Sequence, residues 1–201
     1  MKTLKTSCML SLFAAFLIFS FSACSKNKKI EYKYSNGKLQ EQYVCVKDAY
    51  GNMVKNGVYQ SWYDNGQMML TCAYVNGLRE GPFTEWYNNG NKKVEGAYKG
   101  DKRDGVVAEW FEDGKKKSER GYAAGIFHGK TLEYYPEGKI WQEGEYANGK
   151  ESGVFIEYWE NGSKKAEGSY VNGKAEGVFI QYGETGAKIS EAEFKDGKRA
   201  K

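Results

Sequence analysis

The side chains in this sequence that could act as acids and bases are glutamates, most of which recur at a 24-residue interval. They form two sets: Glu85, Glu109, Glu133 and Glu157, and Glu95, Glu119, Glu143, Glu167 and Glu191. Acid–base catalysis needs carboxyl groups whose environments set them apart from the rest. An acid repeated in nearly every unit singles out no such pair, and cross-strand pairing with Lys or Arg is its more usual role. We therefore predict a structural role for these glutamates.

Other catalytic side chains are scarce. The only histidine is His128, and positions 24 residues away hold Asp104 and Ser152, so histidine is not a repeated feature. We expect it at a variable turn on the surface. The sequence contains no Ser-His-Asp, Cys-His, phosphate-loop or metal-ligand pattern. It therefore predicts a protein that is not an enzyme and that uses no cofactor and no metal.

The amino-terminal residues have the layout of a secretory signal. Lys2 and Lys5 precede an apolar run over residues 9–21, followed by small residues and Cys24. The run is shorter than the roughly 20 residues that a transmembrane helix needs. We assign 1–23 to a signal peptide and 24–33 to an anchor and linker.

Ser22-Ala23-Cys24 resembles the lipobox of bacterial lipoproteins, although Phe21 stands where that motif usually has leucine. The resemblance implies a lipid on Cys24 and a place in the bacterial cell envelope, associated with a membrane on its periplasmic or surface side. The alternative is an ordinary signal peptide cut near Ala23, with Cys24 incidental.

Two cysteines remain in the body of the chain, Cys45 and Cys72. An oxidising compartment would allow them to form a disulfide. They could equally be two small buried apolar side chains. The choice depends on geometry that the spacing alone does not supply.

Charge excludes one class of partner. Lys and Arg number 30 against 26 Asp and Glu, a net charge of +4 that falls by two if Lys2 and Lys5 leave with the signal peptide. The two signs are interleaved along the chain, which is typical of a solvated surface. We therefore expect no nucleic-acid partner.

The elements that position these residues form a gap-free repeat of 24 residues. Residues 57–201 hold six units, and residues 34–56 hold a degenerate capping unit with five additional residues near 45–56. A glycine of the connecting turn is displaced by one place at Gly100. The main columns, meaning positions 24 residues apart, are Gly57 to Gly177, Gly66 to Gly186, and Trp62, Trp86, Trp110, Tyr134, Tyr158 and Tyr182.

Each unit is predicted to be a β-hairpin. In residues 153–171, two runs rich in aromatic and β-branched residues flank Asn161-Gly162, a turn in which both residues accept positive φ. A second glycine-bearing turn over 172–177 leads to the next unit. The predicted fold is all-β, an elongated antiparallel β-meander repeat array of six hairpin units plus a degenerate N-terminal unit, stabilised by aromatic ladders.

The strand period predicts which side chains share a face. Val58 should share one face with Trp62, and Tyr59 should share the other with Tyr63. Both faces then mix aromatic and polar groups, so neither is expected to be dry. Three lysines, two residues before a repeated glutamate, are expected on the face of that glutamate: Lys93, Lys117 and Lys165.

The unit, seen nearly complete in residues 153–177, resembles the bacterial variant of the MORN repeat. MORN arrays act in general as scaffolds for protein association, with membrane lipid binding also proposed. Bacterial chains of this type are commonly classed as YwqK-family antitoxins, a role that fits poorly with an export signal because most antitoxins act in the cytoplasm.

The leading interpretation is an envelope-anchored scaffold for an unknown protein partner. The alternatives are a glycan-binding module that uses the aromatic columns, or an immunity or antitoxin protein. Aromatic rings can stack on sugars or anchor a partner, or simply pack along the array. The candidate aromatics are Trp62, Trp86, Trp110, Tyr134, Trp141, Tyr158 and Trp159.

Overall fold

The computed structural model describes residues 27–200, and every regular element in that range is a β-strand. No helix of membrane-spanning length and apolarity occurs in this range. The predicted signal peptide and Cys24 lie outside the described residues. The strands are β1 (Lys28–Lys33), β2 (Leu39–Lys47), β3 (Met53–Lys55), β4 (Gly57–Trp62), β5 (Met68–Val75), β6 (Leu78–Trp86), β7 (Lys92–Lys99), β8 (Lys102–Arg103), β9 (Gly105–Trp110), β10 (Lys116–Ala123), β11 (Ile126–Tyr134), β12 (Ile140–Ala147), β13 (Lys150–Tyr158), β14 (Lys164–Val171), β15 (Lys174–Tyr182), β16 (Lys188–Lys195) and β17 (Lys198–Arg199).

The strands pair in chain order as one antiparallel meander, which confirms the predicted fold class. Each unit has an outward strand, such as β13, and a return strand, such as β14. Two outward strands are divided in two: β3 and β4 both pair with β2, and β8 and β9 both pair with β7. The predicted linker over 24–33 is corrected, because Lys28–Lys33 pairs with β2 as the first outward strand.

The turn inside each unit is a three-residue loop. The Tyr63 N–H donates to the Gln67 carbonyl at 2.8 Å, and the Gly66 N–H donates to the Tyr63 carbonyl at 2.9 Å. Gly66 has a φ of +95°, whereas Asn65 is not left-handed and its Oδ1 accepts the Gln67 N–H at 2.9 Å. A type I turn closed by a left-handed glycine has this form. The prediction that both residues take positive φ here is wrong.

The turn between units has the geometry that was expected inside them. Asn172 and Gly173 have φ of +52° and +78°, so this two-residue loop is left-handed at both positions, as in a type I′ turn. The displaced Gly100 keeps the same turn, because Gly100 (φ +56°) takes its first position and Asp101 (φ +66°) its second. Asp is among the side chains that tolerate this conformation.

The glycines from Gly57 to Gly177 lie in strands and not in turns, which corrects the predicted turn over 172–177. Gly153 has a φ of +76° within β13. Glu143 pairs with Ile156 and Glu145 with Ser152, so three residues of β13 face one residue of β12. Positive φ at a β-bulge favours glycine because it has no Cβ.

The five additional residues of the first unit lie where the spacing placed them. Val46 pairs with Val54 at the position where regular units have a two-residue turn, so the insertion falls within 47–53. The Asp48 carboxylate accepts the Asn52 N–H at 2.8 Å and closes this longer loop.

Nearly all buried side chains lie on one side of the sheet, called here the buried face. Phe83 and Val107 are 1% exposed and pack with Cys72 and Val94. Polar groups share this face, as predicted, since Arg120 donates to Glu133 at 2.7 Å. The predicted aromatic ladder is present, with ring centroids 5.0–5.5 Å apart along Tyr146, Phe155, Tyr170, Phe179 and Phe194.

Candidate functional site

The opposite side, called here the open face, carries a row of four exposed valines in which Pro82 and Lys130 hold the two intervening positions. Val58, Val106, Val154 and Val178 follow the bulge glycines and are 50%, 64%, 55% and 52% exposed. Their cross-strand neighbours are short or polar: Ala73, Gly121, Ser169 and Glu193. Single exposed apolar side chains are ordinary on a protein, but a repeated row is typical of a binding surface.

The predicted aromatic column borders this valine row. Trp62, Trp86, Trp110, Tyr134 and Tyr158 end their outward strands on the open face, and all are half-buried. This column is therefore neither a fully exposed strip of aromatic rings nor part of a buried core.

The neighbouring aromatic column connects one unit to the next. The Tyr63 hydroxyl donates to the Trp86 carbonyl at 2.7 Å, and the Tyr87 hydroxyl donates to the Trp110 carbonyl at 2.8 Å. Trp159 serves the same purpose, because its indole N–H donates to the Tyr182 carbonyl at 3.0 Å. These contacts give this column a structural task.

Lysines cover two of the candidate indoles. The Lys92 ammonium lies 4.9 Å from the Trp110 ring centroid, and that of Lys165 lies 5.1 Å from the Trp159 ring. Such cation–π contacts occupy the ring faces on which a sugar would stack. Trp141 is half-buried on β12, in the column that holds lysine in three other units.

The repeated glutamates of the return strands pair with a different lysine from the one predicted. Lys116 contacts Glu119 at 2.5 Å and Lys164 contacts Glu167 at 2.7 Å, three residues apart. Lys165 instead reaches Glu157, at 3.4 Å. The register shifts at the start of each return strand, and this bulge moves the predicted lysines off the face of the glutamate.

Tyrosine hydroxyls of the aromatic column complete this acidic row. The Tyr158 hydroxyl donates to Glu143 at 2.5 Å, and that of Tyr182 donates to Glu167 at 2.6 Å. The hydrogen bond to Glu143, aided by burial, raises the pKa of Tyr158 to about 12. Glu143 has Ile140 where other units place the pairing lysine. These acids are held in pairs, which fits the predicted structural role.

Like charges oppose each other at two turns between units. Lys99 pairs with Lys102 and Lys195 with Lys198 in the strand register. None of these four side chains forms an ion pair with another described residue. Like charges directly opposite one another destabilise a sheet. Sequence reasoning missed this feature, although lysines on both sides of a two-residue turn were a visible signal.

Both cysteines are free and buried in the structure. Cys45 lies on β2 opposite β3, and Cys72 lies on β5 opposite β4, so the divided outward strand of β3 and β4 runs between them. Two strand spacings amount to about 9.6 Å, beyond the roughly 7 Å limit for the Cα atoms of a disulfide. The disulfide alternative is therefore corrected in favour of two small buried side chains.

His128 is exposed in β11, beside the bulge glycine and not in a turn as expected. In other units the equivalent position holds an acid that accepts a hydrogen bond from the next turn between units. Glu80 accepts the Gly100 N–H at 2.8 Å, and Asp104 accepts the Ala124 N–H at 3.2 Å. Among the residues that the structure describes, no group of three His, Cys, Asp or Glu side chains could hold a metal ion.

Comparison with protein families gives these hairpins a name. The model described as "MORN repeat variant" matches residues 55–76, 79–99, 127–148 and 151–172. These hairpins are MORN repeats. Each matched segment spans one outward strand and its return strand, and the third and sixth units fold in the same way. Four of the six units thus match the MORN repeat, and such repeats suggest a scaffold for binding.

Two further comparisons add little to the MORN repeats. No curated protein matches the chain. A crystal structure of a protein described as having unknown function, from Bacteroides fragilis NCTC 9343, is 11% identical. The match covers 86% of this chain and 96% of that one with a TM-score of 0.16. A TM-score this low means that the two backbones do not superpose. The description of the fold therefore depends on the strand pairing alone.

Proposed function

We propose that this protein is an envelope-anchored scaffold that binds a partner protein on its open face and performs no catalysis. The observation that carries the proposal is the valine row beside opposed lysines. Val106 is 64% exposed and follows the strand pair in which Lys99 faces Lys102. Neither feature stabilises the isolated sheet, whereas both would gain free energy against a complementary surface.

The arrangement specifies the chemistry of the partner. An apolar strip would cover the valines, and carboxylates beside it would approach the lysines. In the flanking aromatic column, Tyr134 and Tyr158 are held by hydrogen bonds to Glu119 and Glu143, so this part of the surface is formed before binding. A preformed surface loses less conformational entropy on association.

Anchoring at Cys24 is part of the proposal. A lipid there would hold the repeat array close to a membrane, because only residues 25–27 separate Cys24 from β1. The sequence around Ala23 and Cys24 supports this anchor, and Cys24→Ser would test it. We expect the substitution to release the protein from the membrane fraction, and retention there would contradict the anchor.

The alternatives are less well supported. Glycan binding needs open ring faces, whereas lysines cover those of Trp110 and Trp159. An immunity or antitoxin role would be a special case of protein binding, with an exported toxin as the partner on the open face.

Photo-crosslinking tests which face binds. A photoreactive amino acid at Val106 should yield one specific adduct in intact cells. The same residue at Glu109, on the buried face of the same strand, should not. The Val106 adduct should be lost in the Lys99→Glu/Lys102→Glu variant, because reversed charge repels an acidic partner. Equal adducts from both faces, or an adduct insensitive to the lysines, would overturn the proposal.

A further inference from the structure

One column of the outward strands places cations against tyrosine rings on the buried face. In three units, the residue two places before the bulge glycine is a cation that lies over the tyrosine 19 residues later. The pairs, with the distance from the charged group to the ring centroid, are Lys55 and Tyr74 at 5.3 Å, Arg79 and Tyr98 at 4.1 Å, and Arg103 and Tyr122 at 5.5 Å. Each is a cation–π contact, in which a positive charge meets the negative face of a ring.

The same column changes its chemistry in the later units. Phe127 packs its ring against Tyr146, with centroids 5.3 Å apart. Glu151 then takes the place of the three cations, and Ala175 follows it. The tyrosine 19 residues after Glu151 is Tyr170, and no Lys or Arg within residues 27–200 lies over its ring. At Tyr170 a carboxylate therefore stands where the sheet elsewhere supplies a cation.

A cavity of about 140 Å³ lies at this position. Its wall includes Tyr146, Glu151, Phe155, Glu157, Ala166 and Tyr170. Ala166 is smaller than Val94, which is buried at the equivalent position three units earlier, and this difference leaves room on the buried face. A cavity of roughly 150 Å³ can hold a ligand of the size of benzene.

The aromatic wall of the cavity is held together by its own contacts. Phe155 is 7% exposed and meets the rings of Tyr146 and Tyr170 edge to face, at centroid distances of 5.5 and 5.3 Å. The two tyrosines are only half-buried, so a ligand in solvent can reach them. The rings are therefore in place before a ligand binds, which limits the entropy lost on binding.

The charges in the wall are negative. Glu151 is half-buried, and no Lys or Arg of the described chain forms an ion pair with it. Glu157 contacts one cation, Lys165 at 3.4 Å, and that lysine also lies over the Trp159 ring. Burial, and then the charges of Glu151 and Glu157, raise the pKa of Tyr170, so both carboxylates act at this ring. Carboxylates beside accessible aromatic rings favour a cation over a neutral ligand.

We propose that this cavity binds a small soluble organic cation, whose ammonium or guanidinium group lies on the Tyr170 ring and against the Glu151 carboxylate. The ligand supplies the charge that Lys55, Arg79 and Arg103 supply within the chain at the equivalent positions. The site is on the opposite side of the sheet from the valine row, so it does not depend on the proposed binding of a protein there.

A pair of probes of similar shape tests whether charge is recognised. Tetramethylammonium carries one positive charge, and tert-butanol is neutral. Saturation-transfer NMR on the methyl protons of tetramethylammonium should show binding with a dissociation constant on the order of 1 mM, at an ionic strength held constant with sodium chloride. tert-Butanol should bind at least about tenfold more weakly. Equal binding of the two probes would indicate an apolar cavity without selectivity for a cation and would overturn the proposal.

Substitutions at Glu151 test where the probe binds. Glu151→Gln should weaken tetramethylammonium binding about tenfold, because it removes the carboxylate and keeps the size of the side chain. Glu151→Arg should abolish binding, since the introduced guanidinium would cover Tyr170 as Arg79 covers Tyr98. Glu145→Gln is the matched control, because it removes the same charge from the open face of the neighbouring strand and should leave binding unchanged.

Melting temperatures would show that these three variants are folded. Binding that survives Glu151→Arg would overturn the proposal. So would equal losses in Glu151→Gln and Glu145→Gln, or no saturation transfer at a probe concentration about tenfold above the expected dissociation constant.

Discussion

The ring of Phe179 occupies the place where a side chain on Gly168 would begin, since a Cβ there would lie 2.2 Å from ring atoms. Gly144 stands in the same relation to Phe155, at 2.4 Å. These glycines have ordinary strand φ angles, so close packing requires them and backbone conformation does not. Each allows a ring of one unit to lie against the strand before it, which is how neighbouring MORN repeats share one aromatic ladder.

We expect Gly168→Ala to destabilise the protein by about 1–3 kcal/mol, because the Phe179 ring must move from its packed position. Urea unfolding would measure the loss. Gly183→Ala is the matched control: it also lies outside the positive-φ region, and the nearest atom to its Cβ would be 3.6 Å away. We expect a change within roughly 0.5 kcal/mol there. Equal effects at both glycines would exclude the packing explanation.

The glycine of the bulge tests a different requirement. A Cβ on Gly153 would meet nothing within 4 Å, but its φ is +76°. Gly153→Ala should therefore cost about 1–2 kcal/mol through backbone strain alone. Gly153→Asn should cost less, since Asn enters this region more readily. Thermal unfolding of the two variants would measure the difference, and an Asn variant as unstable as the Ala variant would contradict the backbone explanation.

The sequence was sufficient for the repeat, the strand order and the faces of the outward-strand side chains that follow the bulge glycine, because an unbroken 24-residue period and the alternation along a strand determine them. It was not sufficient for the turns. Asn161-Gly162 and Asn172-Gly173 have the same residue types, yet only the second is left-handed at both positions. The difference comes from loop length, which depends on where pairing stops.

Bulges explain the other errors about side chains. Each bulge changes the alternation by one place, so Lys164 and not Lys165 reaches Glu167. The burial of Cys72 under Phe83 likewise depends on cross-strand register, which spacing along the chain does not contain. Five of the candidate aromatics end outward strands, but the hydrogen bonds from Tyr158 to Glu143 and from Trp159 to the Tyr182 carbonyl became visible only in three dimensions.

Tyr158 gives a prediction about alkaline pH. Its pKa is raised from 10.0 to about 12, chiefly by the hydrogen bond to Glu143. A raised folded pKa means that the unfolded state loses this proton first, so the contribution to stability is full below pH 10 and is lost as the pH rises to about 12. Tyrosinate absorbance, taken as the difference between wild type and Tyr158→Phe, would follow the titration.

Glu143→Gln is the control for that titration. It keeps the size of the side chain but removes the carboxylate that opposes ionisation, so the pKa of Tyr158 should fall towards its ordinary value. Tyr87 has no carboxylate partner for its hydroxyl, which donates to a backbone carbonyl, and its titration should not respond. A Tyr158 titration unaffected by Glu143→Gln would show that burial alone raises the pKa.

The cysteines give a prediction about reactivity. Burial raises the pKa of the Cys72 thiol, which lowers the fraction of reactive thiolate at neutral pH. Cys72 should therefore resist alkylation in the folded protein and react after denaturation, and Cys45 should follow because it is also buried. Peptide mass mapping would separate the two sites. Recovery of a Cys45–Cys72 disulfide from the exported protein would contradict the separation by β3 and β4.

The opposed lysines link stability to the proposed binding. Lys102→Glu places an acid opposite Lys99, so the folded sheet should gain roughly 0.2–0.5 kcal/mol while the open face loses its positive pair. We expect a slightly higher melting temperature together with loss of the photo-crosslink from Val106. Lys102→Gln, which removes one charge without adding the opposite one, should fall between wild type and Lys102→Glu in both measurements. If the lysine pair had no role in binding, a substitution that stabilises the sheet would leave the photo-crosslink from Val106 unchanged. A more stable variant that still crosslinks its partner would therefore remove the lysines from the binding surface.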